Sequence, residues 1–288
     1  MSDRFRPALN PPPQEPEPGW WFIFRGYRLL VRLDRSSARV PRLFDPAELG
    51  LRVGQHLYLG RLNGRGVYAA EVKGEEGQPP PGMTFKGLRG LLGLLSEEVW
   101  SLAGRAVQIV DWHRTHRFCG RCGTPTVPHP DERSKTCPKC GLVSFPIISP
   151  AVIVAVSRGP ELLLARSPHF MPEMYSVLAG FVEPGESLEE TVAREIKEEV
   201  GLEVTDIKYF GSQPWPFPHS LMIGFTARHL AGEIRIDHQE IEEAAWFGPD
   251  NLPRLPSNYS IARRLIDDFF KNAKQGLAGE SGRREVRG

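Results

Sequence analysis

No stretch of this 288-residue chain approaches the run of ~20 apolar residues that a membrane-spanning helix needs. Its start, Met1 to Pro18, is polar and proline-rich and lacks the apolar core of a secretory signal, so the expectation is a cytoplasmic protein with no membrane partner. Net charge is nearly absent: 36 Lys and Arg stand against 35 acids, and a balance of +1 supplies no global field for nucleic acid or an anionic surface. Any polyanion must be bound locally. Cysteine is limited to 4 residues, all in one segment, and a cytoplasmic chain disfavours pairing them as disulfides. No internal repeat is evident.

What is present is concentrated in a few motifs. The cysteines form Cys119-Gly-Arg-Cys122 and Cys137-Pro-Lys-Cys140, with 14 residues between the pairs. Two such knuckles can each deliver two thiolates to one tetrahedral ion, and a redox-active CxxC would not account for the second copy. Cys119, Cys122, Cys137 and Cys140 are therefore expected to hold a structural Zn²⁺, a closed site with no position left for a reactive water. His113 and His116 precede the first knuckle and read as ordinary packing or surface histidines, because the four-thiolate set is already complete.

The most concentrated chemistry lies in Gly180-Phe181-Val182-Glu183-Pro184-Gly185-Glu186 and in Arg194-Glu195-Ile196-Lys197-Glu198-Glu199-Val200-Gly201-Leu202. Ser187 and Glu190 form a capping box that should start a helix near Leu188, and Gly201 is a natural stop. Leu188, Val192 and Ile196 would face the core, leaving Glu195, Glu198 and Glu199 crowded on the opposite face. Such a stretch, met alone, is usually a solvated acidic face. Here a glycine-rich turn, a capped helix and an Arg-Glu pair coincide. The face then suits Mg²⁺ or Mn²⁺, which takes carboxylates together with substrate phosphate oxygens. Arg194 reads as a partner that fixes a neighbouring carboxylate.

The chain is long enough for two ordinary domains. Residues 1–18 are expected to be disordered, 19–112 to form an α+β domain, 113–144 a zinc ribbon, 145–274 a second domain, and 275–288 a disordered tail. Strands are expected around Trp20 to Leu33, Gln55 to Gly60, Val67 to Val72, Ala151 to Val156, Glu161 to Ala165, Tyr175 to Leu178, Ile207 to Gly211, Leu221 to Arg228 and Glu233 to Ile236. Helices are expected after Ser96 and from Tyr259 to Lys274, and Gly74 to Gly82 reads as a loop.

Beyond the acidic helix comes Ser212-Gln213-Pro214-Trp215-Pro216-Phe217-Pro218-His219-Ser220. Its prolines preset an extended backbone, and the flat faces of Trp215 and Phe217 suit the wall of a base pocket, where stacking contributes roughly 1–3 kcal/mol per base. The alternative is an apolar loop packed on a sheet.

The glycine-to-leucine pattern resembles the Nudix box. Followed by SQPWPFPxS and preceded by the cysteine ribbon and its Trp112-His113…His116-Arg117-Phe118 lead-in, it is similar to the NADH pyrophosphatase branch of that superfamily, whose bacterial members also remove NAD caps from RNA. The resemblance runs from about Trp20 to Lys271. It implies an α/β fold, a Nudix α/β/α sandwich preceded by a smaller α+β domain and a Cys₄ zinc ribbon, working as a homodimer. It implies hydrolysis of the pyrophosphate of NAD(H), a small-molecule dinucleotide, to nicotinamide mononucleotide and AMP, and action on NAD-capped RNA 5′ ends. Glu240 would join Glu195, Glu198 and Glu199 as a Mg²⁺ or Mn²⁺ ligand. Phe181, and Phe145 of a second subunit, would stack the base. Gln213, Trp215, Phe217 and Ser220 would wall the pocket, with Ala262 near it. Relatives often carry Tyr where Phe145 stands, and a basic or polar residue where Ile147 stands. ADP-ribose or dinucleoside polyphosphates as substrates, and a non-catalytic RNA- or protein-binding platform, are the alternatives.

Overall fold

In the computed structural model, residues 5–13, 17–74, 78–236 and 238–284 are described, with side chains along the last helix through residue 272. The disorder expected for 1–18 and 275–288, and the loop expected for 74–82, fall partly on residues 1–4, 14–16, 75–77 and 285–288, which lie outside the described residues. The chain divides into one compact unit of Met1–Ile147 with Pro216–His219, and a second of Ile148–Trp215 with Ser220–Gly288.

The first unit is built on strands β1 (Arg6–Pro7), β2 (Gly19–Arg25), β3 (Arg28–Leu33), β4 (Ala38–Arg39), β5 (Arg42–Leu43), β6 (Leu57–Leu62), β7 (Arg65–Glu71) and β8 (Thr84–Gly87). Their order is β1-β6-β7-β2-β3-β4, with β5 on β2 and β8 on β3. The proline-rich start thus contributes a strand. The apolar run Trp21-Phe22-Ile23-Phe24 is buried throughout, because β2 is a central strand covered on both faces. Helix α1 (Glu97–Thr115) begins where Ser96 Oγ accepts from the Val99 N–H, and it buries Leu102, Ala106 and Val110 at helical spacing. The ribbon adds β9 (Val127–Pro128), β10 (Lys135–Thr136) and β11 (Val143–Ser144), ordered β11-β10-β9.

The second unit carries β12 (Ser149–Arg158), β13 (Glu161–Arg166), β14 (Leu178–Phe181), helix α2 (Leu188–Val200), β15 (Glu203–Trp215), β16 (Ser220–Ala231), β17 (Glu243–Phe247) and helix α3 (Ile261–Arg284). The sheet runs β15-β16-β12-β13-β17, with β14 on β12; among the described strands of this sheet, β12 and β16 pair in parallel and the other pairs are antiparallel. Strand alternation divides the core into two layers. Val152, Val154 and Val156 pack with Val192, Ile196 and Val200 of α2, whereas Ile153 and Ala155 pack with Ile261, Leu265 and Ile266 of α3. This is the α/β/α sandwich expected.

Two expected elements differ in place. The strand before the acidic helix lies at Leu178–Phe181, so Gly180 and Phe181 belong to the sheet. The strand expected at Glu233 to Ile236 is irregular. Gly232, at φ +94°, ends β16, and the Arg235 N–H donates to Val200 O at 2.9 Å, so the segment docks on the end of α2.

Candidate active site

Strand β14, the turn after it and α2 assemble the acidic cluster. Ser187 caps α2 reciprocally with Glu190, and Gly201 closes it at φ +73°, a left-handed conformation that glycine adopts without strain. The turn is pinned from within: Glu186 accepts from the Glu183 N–H at 3.1 Å and from Thr191 Oγ1 at 2.9 Å.

Arg194 is the hub. Its guanidinium donates to both Glu186 carboxylate oxygens, to Glu195 Oε1 at 2.9 Å, to Glu198 Oε2 at 2.9 Å and to the Phe181 carbonyl at 3.0 Å. One side chain therefore ties the β14 end, the turn and two helix acids together. Its hydrogen bonds to Glu186 hold that carboxyl well below the usual range, at about 2, with the Glu183 N–H assisting. The same bonds keep Arg194 charged.

The three helix acids occupy three environments. Glu198 is exposed, Glu195 is half-buried, and Glu199 is buried at 6% exposure. Glu199 does not share the face opposite the core: three residues past Ile196, it continues the buried stripe of Val192, Ile196 and Val200. Burial pushes the Glu195 carboxyl up, Arg194 lowers it, and the negative charges of Glu198 and Glu240 push it up again. Glu240 thus acts electrostatically on the cluster. Gly180 makes room for Glu195, because a Cβ at that position would fall 1.8 Å from Glu195 Cδ. Glutamate carboxylates are the hard oxygen donors that Mg²⁺ or Mn²⁺ takes, so the chemistry of these donors fits such an ion.

The residues expected around a base have diverse roles here. Phe181 and Phe145 expose 55% and 56% of their surface. Ser220 and Ala262 are buried, the latter in the layer under α3. Gln213 spends both ends of its amide on the start of α3, donating to Tyr259 O at 2.7 Å and accepting from the Ile261 N–H at 2.8 Å. Gln213→Ala should therefore cost about 1–3 kcal/mol, since two backbone groups lose their partner; a urea midpoint measures it. Trp215 closes β15 and is half-buried. Phe217 lies in the first unit, its ring 6.4 Å from Trp100 and under the Arg89 guanidinium at 4.6 Å. It packs as an apolar anchor, and Gly104 admits Pro216 beside it, where a Cβ would meet Pro216 Cγ at 2.9 Å.

The cysteines form a separate cage. Cys119 and Cys140 sulfurs lie 3.5 Å apart, Cys122 and Cys137 3.5 Å, and Cys122 and Cys140 3.7 Å. Four sulfurs at about 2.3 Å from one tetrahedral ion are about 3.8 Å from each other, so the cage fits Zn²⁺. Each knuckle closes on a left-handed glycine, with the Gly123 N–H donating to Cys119 O and the Gly141 N–H to Cys137 O. His113 stays outside the cage. Burial, with Lys135 and Arg117 nearby, lowers its pKa from 6.5 to about 4. A histidine neutral in the fold but protonated when unfolded loses stability as pH falls from 6.5 toward 4. Urea midpoints of zinc-loaded protein should drop between pH 7.5 and pH 5.5, roughly the window of histidine titration, and less so for His113→Asn.

Three family assignments cover the chain: the NADH pyrophosphatase-like rudimentary NUDIX domain over residues 18–112, the NADH pyrophosphatase zinc ribbon domain over 114–145 and the NUDIX domain over 148–269. Similar curated proteins are named NAD-capped RNA hydrolase NudC. The one from Pseudomonas aeruginosa is 50% identical over 270 residues, 94% of this chain and 95% of its own. Those from Stutzerimonas stutzeri and Deinococcus radiodurans are 45% and 49% identical, covering 94% and 77% of this chain and 95% and 79% of theirs. With an intact acidic box behind a four-cysteine ribbon and this similarity along nearly its whole length, the chain belongs to the Nudix hydrolases, in the branch marked by the NADH pyrophosphatase ribbon.

Proposed function

We propose that the chain hydrolyses the pyrophosphate of NAD(H) to nicotinamide mononucleotide and AMP and removes NAD caps from RNA 5′ ends. The observation that carries this reading is the strand–turn–helix cluster in which Arg194 organises Glu186, Glu195 and Glu198. The names of the relatives supply the substrate. Glu195, Glu198, Glu199 and Glu240 would hold Mg²⁺ or Mn²⁺. Bound there, the cation would supply charge neutralisation for the pyrophosphate and a lowered pKa for the water that attacks one phosphorus and releases the bridging oxygen with the leaving nucleotide.

The protein's own contribution is positional. Arg194 cannot accept a proton and is occupied by carboxylates, so it orients and does not act as base. Glu198, exposed on the open side of the cluster, or Glu195, its half-buried neighbour, would take the proton of the attacking water. Phe181 would offer its exposed ring to a base. Gln213, Ser220 and Ala262 would support the pocket through α3 and the sheet, with Trp215 at its wall. We further propose a homodimer, in which Phe145 of a second copy stacks the other face of that base, and a cytoplasmic location. No helix of the described residues is long and apolar enough to cross a membrane.

Comparing kcat/KM for NADH, NAD⁺, an NAD-capped oligoribonucleotide, ADP-ribose and diadenosine polyphosphates in Mn²⁺ tests the substrate. The nicotinamide dinucleotides, free or as caps, should lead by at least about tenfold. A lead for ADP-ribose or the polyphosphates would overturn the substrate while leaving the chemistry.

A further inference from the structure

The first unit contains a cavity of about 490 Å³ that the catalytic reading does not use. That volume is in the range of small-molecule sites, roughly 300–1,000 Å³. It opens among the N-terminal arm, β6, β7, the end of α1 and the ribbon. Two cations line it. Lys135 is 3% exposed, and its Nζ reaches the carbonyls of His113 at 2.8 Å and His116 at 3.2 Å. Arg133 donates from Nη2 to the carbonyls of Tyr58 at 3.2 Å and Ala8 at 3.3 Å.

Those bonds account for where the two side chains sit, since Lys135 caps the C-terminal end of α1 and Arg133 fastens the arm to β6. They do not balance the charge. Among the described residues neither cation forms an ion pair. Among the described residues the one carboxylate lining the cavity, Glu132, accepts from Ser134 Oγ at 2.7 Å. Burial, and then the like charge of Arg105, pull the Arg133 guanidinium below its usual pKa. A buried charge without a counter-ion is costly, and an anion in the cavity would offset that cost.

A second observation is independent of charge. Trp112 lines the cavity at 7% exposure, and its indole N–H is buried without an acceptor. An unsatisfied buried donor is uncommon in a folded protein, and a ligand oxygen is one remedy. Tyr58 and Tyr68 supply flat apolar surface to the same cavity, their rings 5.2 Å apart.

We propose that this cavity is a second, non-catalytic nucleotide site, in which Lys135, Arg133 and the Trp112 indole N–H take a phosphate and the Tyr58–Tyr68 wall takes the ring. Phosphate is the anion matched to a guanidinium and an ammonium together, and an aromatic wall adds affinity for a base. The site requires nothing of the acidic cluster, so it stands or falls separately from the substrate reading. The nucleotide is either free or the 5′ segment of an RNA, and the chemistry of recognition is the same.

The test reads Trp112 itself in the full-length, zinc-loaded protein with indole-¹⁵N tryptophan and no divalent cation, which keeps the acidic cluster from competing. The Trp112 resonance is assigned by its loss in Trp112→Phe. Inorganic phosphate, AMP and a 5′-phosphorylated oligoribonucleotide are titrated in turn. AMP or the oligoribonucleotide should move the Trp112 resonance in a saturable manner, and Arg133→Met should weaken that response by at least about tenfold, with Arg133→Lys recovering part of it. Movement by AMP identifies a free nucleotide; tighter binding of the oligoribonucleotide identifies an RNA segment; movement by inorganic phosphate alone shows an anion site and overturns the nucleotide reading. A resonance unmoved by all three at millimolar concentration overturns the proposal, as does an unchanged response in a folded Arg133→Met.

Discussion

Gly180→Ala should lower kcat for NADH hydrolysis by about 10²-fold or more, the scale of a ~1 Å misplacement of a reacting group, while the protein stays folded. The added methyl would sit 1.8 Å from Glu195 Cδ and 2.1 Å from its Oε1. A glutamate side chain is flexible, so the collision is relieved by swinging the carboxylate out of the cluster, and β14 keeps its place. The glycine backbone lies outside the left-handed region, so alanine adds no strain of its own. Tm should move by less than about 4 °C, the shift that about 1 kcal/mol produces in a chain of this size. Gly185→Ala supplies the contrast. At φ +96° with open space around it, that residue should lose stability through backbone strain. If Gly180→Ala keeps wild-type kcat, Glu195 is not required where it stands.

Cys137→Ser should abolish zinc binding and unfold the ribbon. The ribbon's strands are each 2 residues long and it buries little apolar surface, so cohesion must come from the metal. Structural zinc contributes on the order of 10 kcal/mol to folding of such modules. A neutral serine hydroxyl is a far poorer zinc ligand than a thiolate, and at 1% exposure position 137 gives little access to a water that could take its place. Zinc by mass spectrometry should fall from one per chain to near none. Hydrogen exchange should then lose protection across residues 117–145 and, because Lys135 and Arg133 bind His113, His116, Ala8 and Tyr58 carbonyls, at those contacts as well. Zinc retained at one per chain, or unchanged exchange, would contradict the four-thiolate assignment.

What could be read in advance divides by range. Local chemistry was legible: Ser187 with Glu190 and Gly201 delimit α2, and Ser96 starts α1. The two-layer core was implied by the resemblance alone: the middle of β12, Ala151 to Val156, is an unbroken apolar run, and the folded strand sends Val152, Val154 and Val156 to one face and Ile153 and Ala155 to the other. Long-range choices were not legible. Arg194 reaches back 8 residues to Glu186 and 13 to Phe181, and no helical spacing announces a partner across a turn. The spacing of Glu195, Glu198 and Glu199 groups the three acids, yet Glu199, at 6% exposure, lies on the buried side of α2 with Ile196 and Val200. Gln213 and Phe217 sit in one motif, yet one clamps α3 and the other packs on Trp100. A motif records that residues recur together, not that they share a task.

The central claim is metal-dependent cleavage of a nicotinamide dinucleotide by the Arg194-organised carboxylates. Product chromatography of NADH incubated with Mn²⁺ tests it most directly, run on wild type and on Glu198→Gln side by side. The account predicts AMP and reduced nicotinamide mononucleotide in equal amounts from wild type, none without the cation, and a rate at least about 10²-fold lower from the variant. Full activity in Glu198→Gln, or no turnover by wild type, would contradict it.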